Sequence, residues 1–367
     1  SRRKLATAYR TQRRTWISTD SVSDTMGAVI IRQPRIAAVE DYPMPEMGDG
    51  ECLVRVLRAG IAPSDIHVFR GDYLDQRYPR VPGADVLGMV ETCAGRFTSV
   101  RRVLIPPTIP CGTCAACLAG EEHRCLAPGL LGRERDGGMR PWMSVPAGLP
   151  VTAPDDVGDD AAVCIPDTAF ALRLVTEAAA GLGGVTRRTE DAFLVVFGAD
   201  FLGVVASLAA AEQGFRPILV DVVQARLELA REMGVRDICN PLRDFVGDQV
   251  HWITRRRYAT AAIVVSEDPE AVLTATSVLR PGGRLLLSGH HPDSALPVAR
   301  VIDDSIEVRG VRRSRALYVE AAGFIRRHLS AYESLVSLRL EPTSIPHALE
   351  LAADDPKAYM KIICNLE

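Results

Sequence analysis

From Asp191 onward the chain alternates short apolar runs with helical stretches: "AFLVVF", the run after Gly203, "PILVD", "VQARLELAREMG", "AAIVV", "PEAVLTATSVL" and "GGRLLLSG". Strand and helix alternating at this interval predict an α/β architecture, a doubly wound parallel sheet. The first unit of that sheet is "FLVVFGADFLGVVASLAAAEQGFRPILVD", in which a strand runs into Gly198, a helix opens near Gly203, and a second strand ends in Asp221. The layout is that of a dinucleotide fingerprint: glycines permit the tight turn and close packing, and the helix N-terminus faces a pyrophosphate. Asp221, 18 residues beyond Gly203, reads either as the acceptor for an adenosine ribose, which favours NAD(H) over a 2′-phosphorylated cofactor, or as a strand cap.

The chain before this region has a different texture. From Met26 to about Val163, short apolar or alternating runs such as "ECLVRVLRAGI" are separated by Pro and Gly, as expected of a mostly β domain. Inside it, residues 110–125 read PCGTCAACLAGEEHRC. Cys111, Cys114, Cys117 and Cys125 have the spacing C-x2-C-x2-C-x7-C. Four thiolates suit tetrahedral zinc and close its coordination sphere, so the expected ion is structural, one per chain; the alternative is a coincidental cluster of free thiols in a loop. The other five cysteines, Cys52, Cys93, Cys164, Cys239 and Cys364, are scattered through apolar surroundings and read as buried thiols.

Composition narrows the partners. Of 367 residues, 43 are Lys or Arg and 46 are Asp or Glu, so no broad basic surface for nucleic acid is implied and a small molecule is the expected partner. The apolar runs are too short to cross a bilayer, and a cytoplasmic location is expected. The first 25 residues carry six basic side chains against two acidic ones and read as a disordered basic extension, with Met26 a candidate start. The apolar segment that an export signal needs is missing from it.

Taken together, the β region, the "CGTCAACLAGEEHRC" lobe, the sheet and the "YMKIIC" ending resemble the zinc-dependent alcohol dehydrogenases of the medium-chain dehydrogenase/reductase superfamily. The resemblance implies a GroES-like β domain with a structural zinc lobe plus a Rossmann sheet. Its implied layout is a GroES-like domain over 26–168, the lobe over 106–127, the dinucleotide-binding domain over 169–312, and a return to the first domain over 313–367. It also implies zinc on Cys111, Cys114, Cys117 and Cys125, a proton relay through Ser64 and His67 in "SDIH", and a homodimer formed through the region 284–310.

Where that family holds a catalytic zinc, this chain departs from it. Its "GIAPSD" has Ala62 in place of a cysteine, and its "GAD" has Ala84 and Asp85 in place of a histidine and a glutamate. Asp167, in "IPD", keeps a further ligand position. Two carboxylates without imidazole or thiolate suit zinc poorly, although a hard magnesium-like ion favours such oxygen donors. The fingerprint departs as well, because Asp200 stands at its second glycine and Pro63 where relatives place an arginine that contacts the phosphates. At roughly 4 Å and an effective dielectric near 20, one like-charge pair costs about 4 kcal/mol, on the order of a thousandfold in affinity. NAD(H) binding is therefore expected to be weakened.

Three readings follow. The first is a zinc-independent oxidoreductase acting on a small molecule. The second is a non-redox lyase, isomerase or cyclase using Asp85, Asp167 and His67 as acid and base, and the third is a catalytically inactive binding protein. His67 as a histidine with no role also stays open.

Overall fold

The computed structural model describes residues 24–93, 101–180, 192–291, 294–355 and 359–367. The expected basic extension over 1–25 lies outside the described residues except for its last two. The chain forms two compact units, one running up to Cys117 and then over Cys125–Cys164 and Val336–Glu367, the other comprising Leu118–Arg124 and Ile165–Leu335.

The first unit is built from β-structure. β1 (Thr25–Gln33) and β2 (Ile36–Pro43) pair antiparallel. A seven-stranded sheet contains β3 (Glu51–Ile61), β4 (Asp85–Cys93), β5 (Arg101–Ile105), β8 (Trp142–Pro146), β9 (Val151–Thr152), β16 (Val336–Leu340) and β17 (Lys361–Asn365). β6 (Thr108–Ile109) and β7 (Gly129–Leu130) form a small sheet of their own. β3 is the axis of the larger sheet, because its eleven residues are long enough to pair antiparallel with β4, β8 and β17. Val54, Val56, Ala59 and Ile61 from β3 pack with Val86, Val103, Ile105 and Ile362 in one apolar core.

Two features of this unit differ from, or add to, the sequence reading. Cys52 and Cys93, expected as buried thiols, are register partners across β3 and β4 and are joined in a disulfide. Their separation of 41 residues gives no local spacing signal, so only strand register could reveal the pairing. Arg102 donates to the carbonyls of Pro154 and Val157 and to the carboxylate of Asp159, and so ties the segment after β9 to β5.

The second unit carries the predicted parallel sheet. Its strands are β10 (Phe193–Phe197), β11 (Arg216–Val220), β12 (Asp237–Cys239), β13 (Ala259–Val264), β14 (Leu279–Leu287) and β15 (Glu307–Gly310). All five pairings are parallel and the spatial order is β12-β11-β10-β13-β14-β15. Every residue of β10 and β13 is buried, as strands covered on both faces require. Counted within the unit, this is the doubly wound order 3-2-1-4-5-6, whose direction reverses between β10 and β13, and ligands of such sheets bind outside the strand C-termini at that reversal. β15 is an exposed edge strand. The helix Tyr318–Arg327 buries Ala321, Ala322, Phe324 and Ile325 as core.

Candidate functional site

The cysteine lobe meets its expectation geometrically. The four sulfurs of Cys111, Cys114, Cys117 and Cys125 lie within 4.8 Å of one another. Cys117 Sγ is 3.9 Å from Cys111 Sγ and 3.5 Å from Cys114 Sγ. A tetrahedral zinc with bonds of about 2.3 Å spaces its sulfurs by about 3.8 Å, so the donors fit such an ion. Hydrogen bonds from Thr113 and Cys114 lower the Cys111 thiol to about 6, whereas burial pushes the Cys117 thiol up to about 12. With four sulfur ligands no coordination position remains for a substrate, and the lobe's chemistry is that of a clasp. Among the described residues, this quartet alone brings three or more Cys, His, Asp or Glu donors together.

The two alanine positions are brought together by a residue the sequence reading passed over. The helix Pro63–Arg70 starts with Pro63 in its first turn, and Asp65 sits at its third position. One carboxylate oxygen of Asp65 accepts from Ala62 N at 2.9 Å and from Ala84 N at 3.3 Å, and the other accepts from Gly83 N at 2.8 Å. Asp65 thus clips the "GIAPSD" turn to the "GAD" turn, with the methyl groups of Ala62 and Ala84 buried beside it. Burial lifts its carboxyl to about 6, against the pull of the three N–H groups. Pro at the first helical position with an acid two residues later was the available signal for this clip.

Asp85 is held by a partner from the far end of the chain. Lys361 Nζ lies 2.5 Å from Asp85 Oδ2, and both residues are almost wholly buried. Gly60 lies between them in the sheet, opposite Asp85 on one side and Ile363 on the other. A Cβ there would come within 3.0 Å of Lys361 Cε and 3.2 Å of Asp85 Cβ, so glycine is what lets the lysine cross β3. In the same unit, His67 is buried and its Nδ1 lies 2.6 Å from Asp72 Oδ2. A carboxylate acceptor places the proton on Nδ1 and leaves Nε2 as the basic nitrogen of neutral His67. Ser64 is half-buried one turn earlier on the same helix.

Asp167 belongs to the second unit, in the first turn of the helix Ile165–Ala179. Arg313 Nη1 lies 2.5 Å from its Oδ1, and the guanidinium carbon sits 5.0 Å from the Phe170 ring centroid. Both carboxylates expected as acid, base or hard-ion ligands therefore have a protein cation against them, and neither Lys361 nor Arg313 was singled out from the sequence.

The fingerprint turn is built as expected around two glycines. Gly198, at φ 103°, ends β10 where a Cβ would meet Ser266 N at 2.9 Å, and a Cβ on Gly203 would lie 1.7 Å from Gly198 O. Asp221 accepts from Ala199 N at 2.6 Å and Val223 N at 2.7 Å, which fixes its carboxylate at the end of β11, where a ribose acceptor is needed. Asp200 departs from the pattern in a definite way. It is the N-cap of the helix Phe201–Glu212, and its Oδ1 accepts from Gly203 N at 2.9 Å. The ribose end fits a dinucleotide. The diphosphate end does not while this carboxylate holds the helix amide.

A β-rich unit with a four-thiolate lobe, continuous in sequence with a doubly wound unit bearing a fingerprint turn, defines the architecture of a zinc-lobed dehydrogenase. Comparison with known proteins agrees. Residues 48–155 match the alcohol dehydrogenase GroES-like domain and residues 202–327 match the zinc-binding dehydrogenase domain. The chain is 27% identical over 348 residues to an uncharacterized zinc-type alcohol dehydrogenase-like protein of Haemophilus influenzae, covering 93% of this chain and 99% of that one. It is 32% identical over 282 residues to an L-threonine 3-dehydrogenase of Streptomyces coelicolor, covering 74% and 79%. In fold it is similar to a short chain alcohol dehydrogenase of Escherichia coli solved with NADH, with a TM-score of 0.82, 23% identity and coverage of 94% and 100%. The chain belongs to the zinc-dependent alcohol dehydrogenase family of the medium-chain dehydrogenase/reductase superfamily, a family of oxidoreductases. Among the described residues no helix is long and apolar enough to cross a membrane.

Proposed function

We propose that this chain is an alcohol dehydrogenase-like oxidoreductase that acts on a small molecule without a catalytic zinc, linked to NAD(H), with one structural zinc in its cysteine lobe. The observation that carries the reading is the Asp65 clip, which puts Ala62 and Ala84 side by side with methyl groups where the family places metal ligands. A methyl group offers no lone pair, and Asp85 is already paired with Lys361. Without a Lewis acid, the substrate oxygen must be met by protons from side chains. His67, oriented by Asp72, and Ser64 are the groups in the first unit suited to that relay. No hydride step is assigned, because the diphosphate end of the fingerprint does not fit its ligand while Asp200 caps the helix. A homodimer through β15, which among the described residues pairs only with β14, belongs to the same reading.

The test is elemental analysis of purified protein together with NADH oxidation against a panel of carbonyl compounds and activated alkenes. One zinc per chain with turnover supports the reading; two zinc ions per chain overturn it. The Asp200 cap favours a second reading, a small-molecule-binding member without redox turnover. One zinc, no turnover and a ligand-induced rise in melting temperature from a metabolite library would favour that reading.

A further inference from the structure

The helix Val246–Ile253, between β12 and β13, carries apolar side chains on two faces, and only one of them is covered. Val246, Val250 and Ile253 are buried, as a helix packed on a sheet requires. Phe245 at its N-cap and Trp252 lie seven residues apart, two turns along another face, and they are 84% and 78% exposed. Leu242, in the turn just before, is 77% exposed. Tryptophan is highly buried on average, so three large apolar groups left in water along one line mark a surface for docking.

The chain at both ends of this stripe is cationic. Arg255, Arg256 and Arg257 leave the helix in succession, all exposed, and exposed Arg243 adjoins Leu242. The acids of the same segment are Asp244, which accepts from Gln249 Nε2 at 3.3 Å, and Asp248. Elsewhere in the unit Arg216, Arg284 and Arg327 lie against carboxylates, but among the described residues the guanidinium groups of Arg243, Arg255 and Arg256 have no ion-pair partner. The backbone of the turn is also unusual. Arg255, Arg256 and Tyr258 have φ of 52°, 63° and 59°, three of the five non-glycine residues at positive φ among the described residues. That conformation is unfavourable for a side chain with a Cβ, and local contacts hold it: Arg255 N donates to Trp252 O at 3.2 Å, Tyr258 N donates to Thr254 Oγ1 at 3.2 Å, and the Tyr258 ring stands edge-on to His251 at 4.5 Å. The arginine run is thereby fixed beside Trp252.

An apolar stripe rimmed by free guanidinium groups complements a surface that is apolar within and anionic at its boundary. A bilayer containing acidic lipids has that character, because aromatic rings enter at the headgroup level while arginines pair with the phosphates. A protein partner is matched less well. Two aromatic side chains of about 150–250 Å² each and one leucine offer roughly 500 Å² of apolar contact, whereas a standard protein interface takes about 800 Å² from each side. We propose that Leu242, Phe245 and Trp252, with Arg243, Arg255 and Arg256, form a peripheral docking surface for anionic lipid bilayers. The arginine turn immediately precedes β13, at the N-terminal end of the parallel sheet, whereas dinucleotides bind outside the strand C-termini. The surface shares no residue with the fingerprint turn or the Asp65 clip, so its test leaves the oxidoreductase reading untouched.

The experiment is co-sedimentation of the full-length protein with vesicles of phosphatidylcholine alone and of phosphatidylcholine mixed with an equal part of phosphatidylserine. It compares the parent chain with Phe245→Ser combined with Trp252→Ser, and with Arg255→Gln combined with Arg256→Gln. All four side chains are exposed, so both variants should keep the parent's melting temperature and zinc content. The expected result is binding of the parent chain to the acidic vesicles with a blue shift of tryptophan emission, weakened on the order of thirtyfold by the arginine pair, weakened also by raised salt, and abolished by the aromatic pair. Absence of vesicle binding overturns the proposal, as does equal binding to the two kinds of vesicle or equal binding by the parent chain and both variants. Absence of vesicle binding together with self-association that the aromatic pair removes, read by sedimentation velocity, overturns it in favour of a second copy of this chain.

Discussion

The cysteine lobe and the Ala62–Ala84 turn lie in the same unit, and under the proposed reading each corresponds to a metal position of the family, yet only the lobe carries donor side chains. In the lobe all four donors converge within 4.8 Å. At the turn the backbone scaffold is intact, held by three N–H bonds to Asp65, but the donor side chains are absent. The contrast separates two things a metal site needs: a backbone that brings positions together and side chains that bear lone pairs. The first can outlast the second, because a buried carboxylate can hold the same turns whether or not a cation sits beyond them.

The largest expected effect tests the intact half of the contrast. Cys117→Ser should lower zinc from one per chain to none by elemental analysis and reduce the melting temperature, since structural zinc contributes directly to folding. Loss of all zinc with unchanged stability would break the comparison from that side. Next comes the pair behind the depleted turn. Lys361→Met leaves the Asp85 carboxylate buried without its cation and should cost about 3–5 kcal/mol in denaturant unfolding. Lys361→Met combined with Asp85→Leu should recover most of that loss, because two apolar side chains of similar volume need no compensation.

The Asp65 clip gives a smaller and pH-dependent effect. Its folded value of about 6 lies above the 3.8 of a free aspartate. The stability it contributes is therefore fully present below about pH 4 and is lost as pH rises through 6. Relative to Asp65→Asn, which lacks this titration, the parent chain should lose on the order of 3 kcal/mol between pH 4 and 7, read by urea unfolding at a series of pH values. A difference that grows with pH would show the three N–H bonds outweighing burial. The smallest effect concerns the relay. Asp72→Asn removes the carboxylate from His67 Nδ1 and should lower turnover on the order of tenfold while leaving the zinc content at one.

The legible parts of this protein share one property: their residues are close in sequence. Gly198, Gly203 and Asp221 lie on one strand–helix–strand unit, and Cys111 to Cys125 on one loop, so spacing alone carries their geometry. The same holds for Ala62 and Ala84 as departures from a local pattern. Lys361 and Asp85 are 276 residues apart, and their pairing depends on β17 and β4 flanking β3 with a glycine between them. Arg313 against Asp167 and Cys52 against Cys93 have the same character, since each partner sits in an ordinary-looking local sequence. Asp200 falls between the two cases. Its charge was readable as an obstacle, but its role as the helix cap required the Gly203 N–H to be placed against it.

By itself, then, the sequence determined the two architectures, the thiolate quartet and the donor-free methyl side chains of Ala62 and Ala84, because periodicity, spacing and side-chain chemistry are local properties. Only the tertiary structure decided what the remaining carboxylates do: Asp65 as a clip, Asp85 and Asp167 as partners of Lys361 and Arg313, and Asp200 as a cap. The ionisation and reach of a carboxyl group are set by whatever the fold packs against it, and those neighbours come mostly from elsewhere in the chain.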